Sequence, residues 1–137
     1  MERIYQKIGR ITEYLLLIEG IKDDCMERFA SDQIFRGAIL HYLYMVSDSS
    51  ISLAEMVIKH KKLRIPQSYH EIFDILGENK ILEPEFANSF AKIAGFRNFL
   101  AHDYEKIDIN FICEDALSKL DDVKIFINQI KASLGIA

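Results

Sequence analysis

Cysteine and proline are scarce in this chain of 137 residues, which has two of each, six glycines and no tryptophan. Cys25 and Cys113 stand alone, with no C-x-x-C spacing, so the sequence suggests neither a disulfide framework nor a cysteine zinc site. Both read as buried thiols. The longest aliphatic and aromatic run, Tyr14 to Ile18, falls far short of the roughly 20 residues that cross a bilayer. With Glu2 in second place, the N-terminus lacks the organisation of a signal peptide. The expectation is a cytoplasmic protein without a membrane partner. Catalytic signatures are also thin. His70-Glu71 does not open a His-Glu-x-x-His zinc motif, because Asp74 stands where the second histidine would be needed. No Glu-x-x-His pair, phosphate-binding glycine loop or dinucleotide fingerprint occurs, so no metal ligand and no cofactor is expected.

What the chain does have is 50% hydrophobic and 28% charged residues, enough to bury the core of a single domain spanning residues 1–137. Its net charge of -4 opposes binding of nucleic acid by bulk electrostatics, although a local patch can still hold a phosphate chain. Lys59, Lys61, Lys62 and Arg64 form such a patch and are candidate RNA contacts, against the alternative of a solvated surface before a loop.

The apolar residues recur at helical spacing. Ile4, Ile8, Ile11, Leu15, Ile18, Cys25 and Phe29 line one face of a helix from about Glu2 to Ala30, with a kink at Gly20. Ser31-Asp32 is an N-cap signal for a second long helix, which carries Phe35, Ile39, Tyr42, Val46, Leu53 and Val57 and ends near His60. Pro66 marks a loop. Ser68-x-x-Glu71 predicts the capped start of a third helix, with Gly77 suited to a left-handed end. Pro84 suits the first turn of a fourth, ending near His102, and Ile109 to Ile127 mark a fifth that stops near Gly135. An all-α, antiparallel bundle of about five helices follows. His41 is read as core or interface, and Phe73, Phe86, Phe90 and Phe126 as core.

The informative stretch is Gly95 to Tyr104, which places Arg97, Asn98, His102 and Tyr104 within eight positions among apolar residues. Arginine can hold a phosphodiester through two parallel N–H bonds and oppose charge developing on it. Histidine titrates near neutrality and can take a proton from an RNA 2'-hydroxyl or give one to the leaving 5'-oxygen. Asn98 shares a helix face with His102 and can orient the imidazole or a phosphate oxygen, whereas Arg97 and His102 lie about 140° apart on a straight helix. A site shared with a second subunit relieves that geometry. Arg followed five residues later by His occurs by chance roughly 0.2 times in a chain of this composition, and requiring Asn and Tyr as well lowers this to the order of 10⁻⁴. The structural alternative is a polar cluster at a helix end.

With Arg97, His102 and Tyr104 completing an Arg-x4-His-x-Tyr motif, and Asn98 matching the wider Arg-Asn-x3-His form, the sequence resembles the HepT-like toxins of the HEPN superfamily. The likeness extends over most of the chain, including Pro66 to Leu76 and the Gly95-Phe96-Arg97-Asn98 start of the motif helix. The resemblance implies a HEPN-type bundle and the toxin of a toxin-antitoxin pair. The toxin would be a metal-independent endoribonuclease whose two motifs, with Arg97 and His102 catalytic and Asn98 in support, meet in a homodimer. It also implies a minimal nucleotidyltransferase antitoxin that transfers AMP to Tyr104. The alternative function is a non-catalytic nucleotide- or RNA-binding accessory subunit of such a nucleotidyltransferase.

Overall fold

The computed structural model describes residues 1–136, apart from the side chain of Tyr104. Its helices are α1 (Glu2–Glu19), α2 (Cys25–Arg28), α3 (Gln33–His60), α4 (Tyr69–Glu78), α5 (Pro84–Phe90), α6 (Ile93–His102) and α7 (Leu120–Leu134). Short 3-10 turns occupy Lys22–Asp24 and Tyr104–Lys106, and Phe111–Ala116 forms a π-helical segment. No strand occurs among the described residues. The long helix α3 is the spine, with α1, α4 and α6 packed against it and α5 packed on α4.

Each helix buries the stripe its spacing marks. On α1 that stripe is Ile4, Ile8, Ile11, Leu15 and Ile18, and on α3 it includes Phe35, Ile39, Leu43, Val46, Leu53 and Val57. Phe73 and Phe126 are fully buried, with Phe90 stacked on Phe126 at 4.8 Å and Phe86 stacked on Phe90 at 5.2 Å. His41 is exposed, contrary to a core position, and its ring lies beside Tyr14 and Tyr42.

The helix starts use local chemistry. Asp32 accepts a hydrogen bond from the Phe35 amide at the head of α3, and Ser68 accepts one from the Glu71 amide at the head of α4. The reciprocal half of the expected capping box is replaced, because the Glu71 carboxylate accepts from Arg64 instead. Glu83 caps α5 ahead of Pro84 and accepts from the amides of Glu85 and Phe86.

The structure corrects several helix boundaries. The first predicted helix stops at Gly20, and the 3-10 turn and α2 return Cys25 and Phe29 to the core on a new axis. The fourth divides between α5 and α6 at Ala91-Lys92. Gly77 does not adopt the left-handed conformation. That role falls to Lys80 at φ 56°, where the Ile81 amide donates to the Leu76 carbonyl and closes the helix end. Gly77 is needed for close approach, since a Cβ there would stand 3.1 Å from the Cβ of Ala87 on α5. The cysteines differ most from expectation: Cys25 and Cys113 form a disulfide with Cα atoms 5.6 Å apart, joining α2 to the π-helical segment across a separation of 88 residues. Sequence spacing carries no signal for a pair that only the folded bundle brings together.

Candidate active site

Helix α6 is pinned on one side by apolar contacts. Ala94 and Leu100 are buried, and Phe96 and Phe99 meet the edge of Phe111 at 5.8 and 5.5 Å. Asn98, Ala101 and His102 consequently face outward, with Arg97 at the boundary between the two sides. A cleft of about 660 Å³ lies along the apolar side of α6, and neither Arg97 nor His102 lines it.

Arg97 is held by groups from three helices. Its Nε donates to Asp48 Oδ1 on α3 at 3.0 Å, and one terminal nitrogen donates to Asn98 Oδ1 at 3.1 Å. Its guanidinium carbon lies 5.3 Å from the ring centroid of Tyr44, one turn from Asp48, and 6.0 Å from that of Tyr69 at the start of α4. The side chain retains 20% exposure, and its second terminal nitrogen makes no hydrogen bond among the described residues. The hydrogen bond to Asp48 raises the Arg97 pKa above its ordinary value; burial opposes that effect, and Tyr44, Asp48 and Tyr69 add electrostatic support. Arg97 therefore remains a fixed, oriented cation with one edge open, an arrangement that can receive a phosphate oxygen.

The Asn98 carboxamide oxygen faces Arg97, so in this structure Asn98 orients the guanidinium. His102 is the last residue of α6 and is exposed, with no hydrogen bond or ion pair among the described residues. No hydrogen bond joins its side chain to that of Arg97 among the described residues. Tyr104 begins the turn after α6, and its side chain lies outside the described residues.

The basic run after α3 is dispersed by its partners. Arg64 pairs with Glu71 and with Glu78 at 2.9 Å, and Lys61 donates to the Ser133 carbonyl at the end of α7. Lys59 and Lys62 are exposed without an ion pair among the described residues. Asp48, Tyr44 and Tyr69 were not anticipated as site residues. The available signal was the polar run Ser47-Asp48-Ser49-Ser50 inside an otherwise apolar helix, in which the three serines are buried and the aspartate reaches Arg97.

No helix among the described residues is long and apolar enough to cross a membrane. The family model described as "Ribonuclease HepT-like" matches residues 4–130. The mRNA nuclease HepT of Shewanella oneidensis is 26% identical over 129 residues, covering 94% of this chain and 96% of that protein. The tRNA nuclease HepT of Aphanizomenon flos-aquae is 29% identical over 137 residues, covering 98% and 89%. Among solved structures, the tri-AMPylated Shewanella oneidensis HEPN toxin in complex with MNT antitoxin superposes with a TM-score of 0.83 at 26% identity, covering 94% of this chain and 96% of that one. A toxin-antitoxin structure with AMP-PNP shares the fold at a TM-score of 0.86 and 24% identity, covering 96% and 99%.

Proposed function

Because the chain belongs to the HepT-like ribonuclease family, we propose that it is the toxin of a toxin-antitoxin pair and cuts RNA without a metal ion. The observation that carries this reading is Arg97, held by Asp48, Asn98 and two tyrosines with one nitrogen unengaged among the described residues, on the same helix as an accessible His102. In the reaction, His102 takes the proton of an RNA 2'-hydroxyl. The 2'-oxygen forms a bond to the adjacent phosphorus, and the bond to the 5'-oxygen breaks. That oxygen leaves with a proton from water, giving a 2',3'-cyclic phosphate and a 5'-hydroxyl end. Arg97 opposes the charge that builds on the non-bridging oxygens, and its planar fork suits them better than a lysine would.

A homodimer brings Arg97 of one copy to His102 of the other. Support comes from the roughly 140° between Arg97 and His102 on one helix and from the exposed Tyr69 beside Arg97, a ring suited to burial against another copy. The antitoxin is a nucleotidyltransferase that places AMP on Tyr104. The added negative charge and bulk two residues from His102 would repel and displace a phosphate chain. An RNA substrate and such a partner place this work in the cytoplasm. Lys59 and Lys62 are candidate contacts to the same RNA, with Lys61 and Arg64 beside them engaged within the fold.

Co-expressed Arg97→Ala and His102→Ala chains test the shared site. In a mixed dimer one of the two sites has a native Arg97 facing a native His102. The co-expressed sample should recover roughly a quarter of wild-type cleavage, since half its symmetric dimers are mixed, while each variant alone is inactive. An inactive mixture would place both residues of each site in one protomer.

A further inference from the structure

About 100° round α3 from the face that meets Arg97, α1 and α3 enclose a cleft of about 320 Å³ lined by Arg3, Gln6, Lys7 and Arg10 from α1 and by Met45, Ser49 and Met56 from α3. Arg3, Lys7 and Arg10 recur at steps of four and three residues, so their heads follow one edge of α1, rising about 6 and 4.5 Å from one to the next. None of the three makes an ion pair or side-chain hydrogen bond among the described residues. The rest of the molecule makes this notable. Acids outnumber Lys and Arg 21 to 17. The other four arginines are all engaged: Arg28 with Asp24 and Asp32, Arg36 with the Phe29 and Ala30 carbonyls, Arg64 with Glu71 and Glu78, and Arg97 with Asp48. Arg3 and Arg10, the two arginines without a partner among the described residues, both lie on this cleft. The acids of α1 nearest the row are Glu2, which precedes Arg3, and Glu13, one turn beyond Arg10, and neither makes an ion pair among the described residues.

Beyond Arg10 the edge continues into aromatic rings. Tyr14 lies 5.9 Å from Tyr42, and His41 stands 6.2 and 5.9 Å from the two. A row of cations ending in half-buried tyrosines is the combination that holds single-stranded nucleic acid, with cations along the phosphates and rings under the bases. The cleft also adjoins the candidate active site. Met45 and Ser49 follow Tyr44 and Asp48 directly on α3, a rotation of about 100° round the helix, and the accessible His41 and Ser52 lie between.

We propose that the α1–α3 cleft is a second RNA-binding track, which takes the sugar-phosphate backbone of single-stranded RNA several nucleotides from the bond cut at Arg97 and His102. The proposal rests on the ribonuclease reading for its ligand. The track lets a protein of net negative charge hold a polyanion by a local cationic row, and it favours substrates long enough to reach round α3.

The test uses the dimer carrying His102→Ala, titrated onto a labelled 12-nucleotide single-stranded RNA by fluorescence anisotropy at several KCl concentrations. Arg3→Gln, Lys7→Gln and Arg10→Gln are added together, since glutamine preserves helix propensity at these positions, Arg3 and Arg10 exposed and Lys7 half-buried. Loss of three phosphate contacts should weaken binding at least tenfold at low salt and lower the slope of log affinity against log salt by about 2. The comparison triple, Lys80→Gln, Lys92→Gln and Lys119→Gln, also exposed, should leave the slope unchanged. Equal losses from both triples would overturn the proposal, as would an unchanged slope in the α1 triple. Retained RNA affinity with lost binding to the antitoxin would assign the cleft to a protein partner and overturn it too. A parallel cleavage assay of the protein with His102 intact separates the two readings. If that protein cuts nothing while the α1 triple still lowers the slope, the ribonuclease reading fails and the RNA track stands.

Discussion

Asp48→Ala is the perturbation that most directly probes how Arg97 is aimed. The Asp48 carboxylate accepts from Arg97 Nε at 3.0 Å, with the two side chains 39% and 20% exposed. A hydrogen bond between charged groups is worth about 1.5–3 kcal/mol where water is excluded, and exposure of this degree reduces it to about 1 kcal/mol. Lost from the orientation of the transition state, that amounts to roughly a fivefold fall in kcat. KM should stay level or fall, because removing a carboxylate beside the proposed phosphate site also removes a repulsion. Asp48→Asn should lose less, since its amide oxygen still accepts. Arg97→Ala removes the cation itself and should cost about 10²- to 10³-fold, as loss of a donor to the developing charge does elsewhere. Initial rates on an end-labelled RNA, with folding checked by circular dichroism, measure all three. Wild-type or higher kcat in Asp48→Ala, or a loss lying wholly in KM, would show that Asp48 does not aim Arg97 and would refute the reasoning.

Three further outcomes follow from the packing. Gly77→Ala should lower Tm, because the new methyl meets the side-chain Cβ of Ala87 on α5 at 3.1 Å, an atom with no rotamer by which to move away; overpacking of about 1–3 kcal/mol outweighs a helix-propensity gain of about 1 kcal/mol, and a raised Tm in thermal melts would show that α5 yields. Reduction of Cys25–Cys113 should lower Tm, with up to about 4–5 kcal/mol available from a closed loop of this length, and identical melts with and without reductant, thiol state confirmed by mass, would contradict it. Ser50→Ala should hold or raise Tm, because the Ser50 hydroxyl is buried without a hydrogen-bond partner among the described residues and such a group costs about 1–3 kcal/mol; a clear loss of stability would mean that the hydroxyl has an unseen partner.

The parts of the fold legible in the sequence are those whose causes are local. Stripes such as Ile4 to Ile18, the capping residues Asp32 and Ser68, and Pro84 each act within a few positions, so periodicity and residue type suffice to read them. Arg97, Asn98 and His102 were legible for the same reason, since one short helix carries all three. Features that depend on distant partners were not. Asp48 meets Arg97 across 49 residues, and Cys25 meets Cys113 across 88. Gly77 misled because glycine serves two purposes, a left-handed turn and a close approach, and only the position of α5 shows which applies. Arg64 was legible as a cation, but the acids that occupy it, Glu71 and Glu78, are brought close only when α4 folds back beside it.

The proposed reaction depends on His102 for metal-independent RNA cleavage. The most direct measurement incubates the purified protein, with Tyr104 verified as unmodified by mass, with total cellular RNA in EDTA beside His102→Ala, and analyses the product ends. Cleavage by the wild-type protein alone, leaving 2',3'-cyclic phosphate or 3'-phosphate ends, is the predicted result. Cutting by His102→Ala at the wild-type rate, or no cutting by either protein, would contradict it.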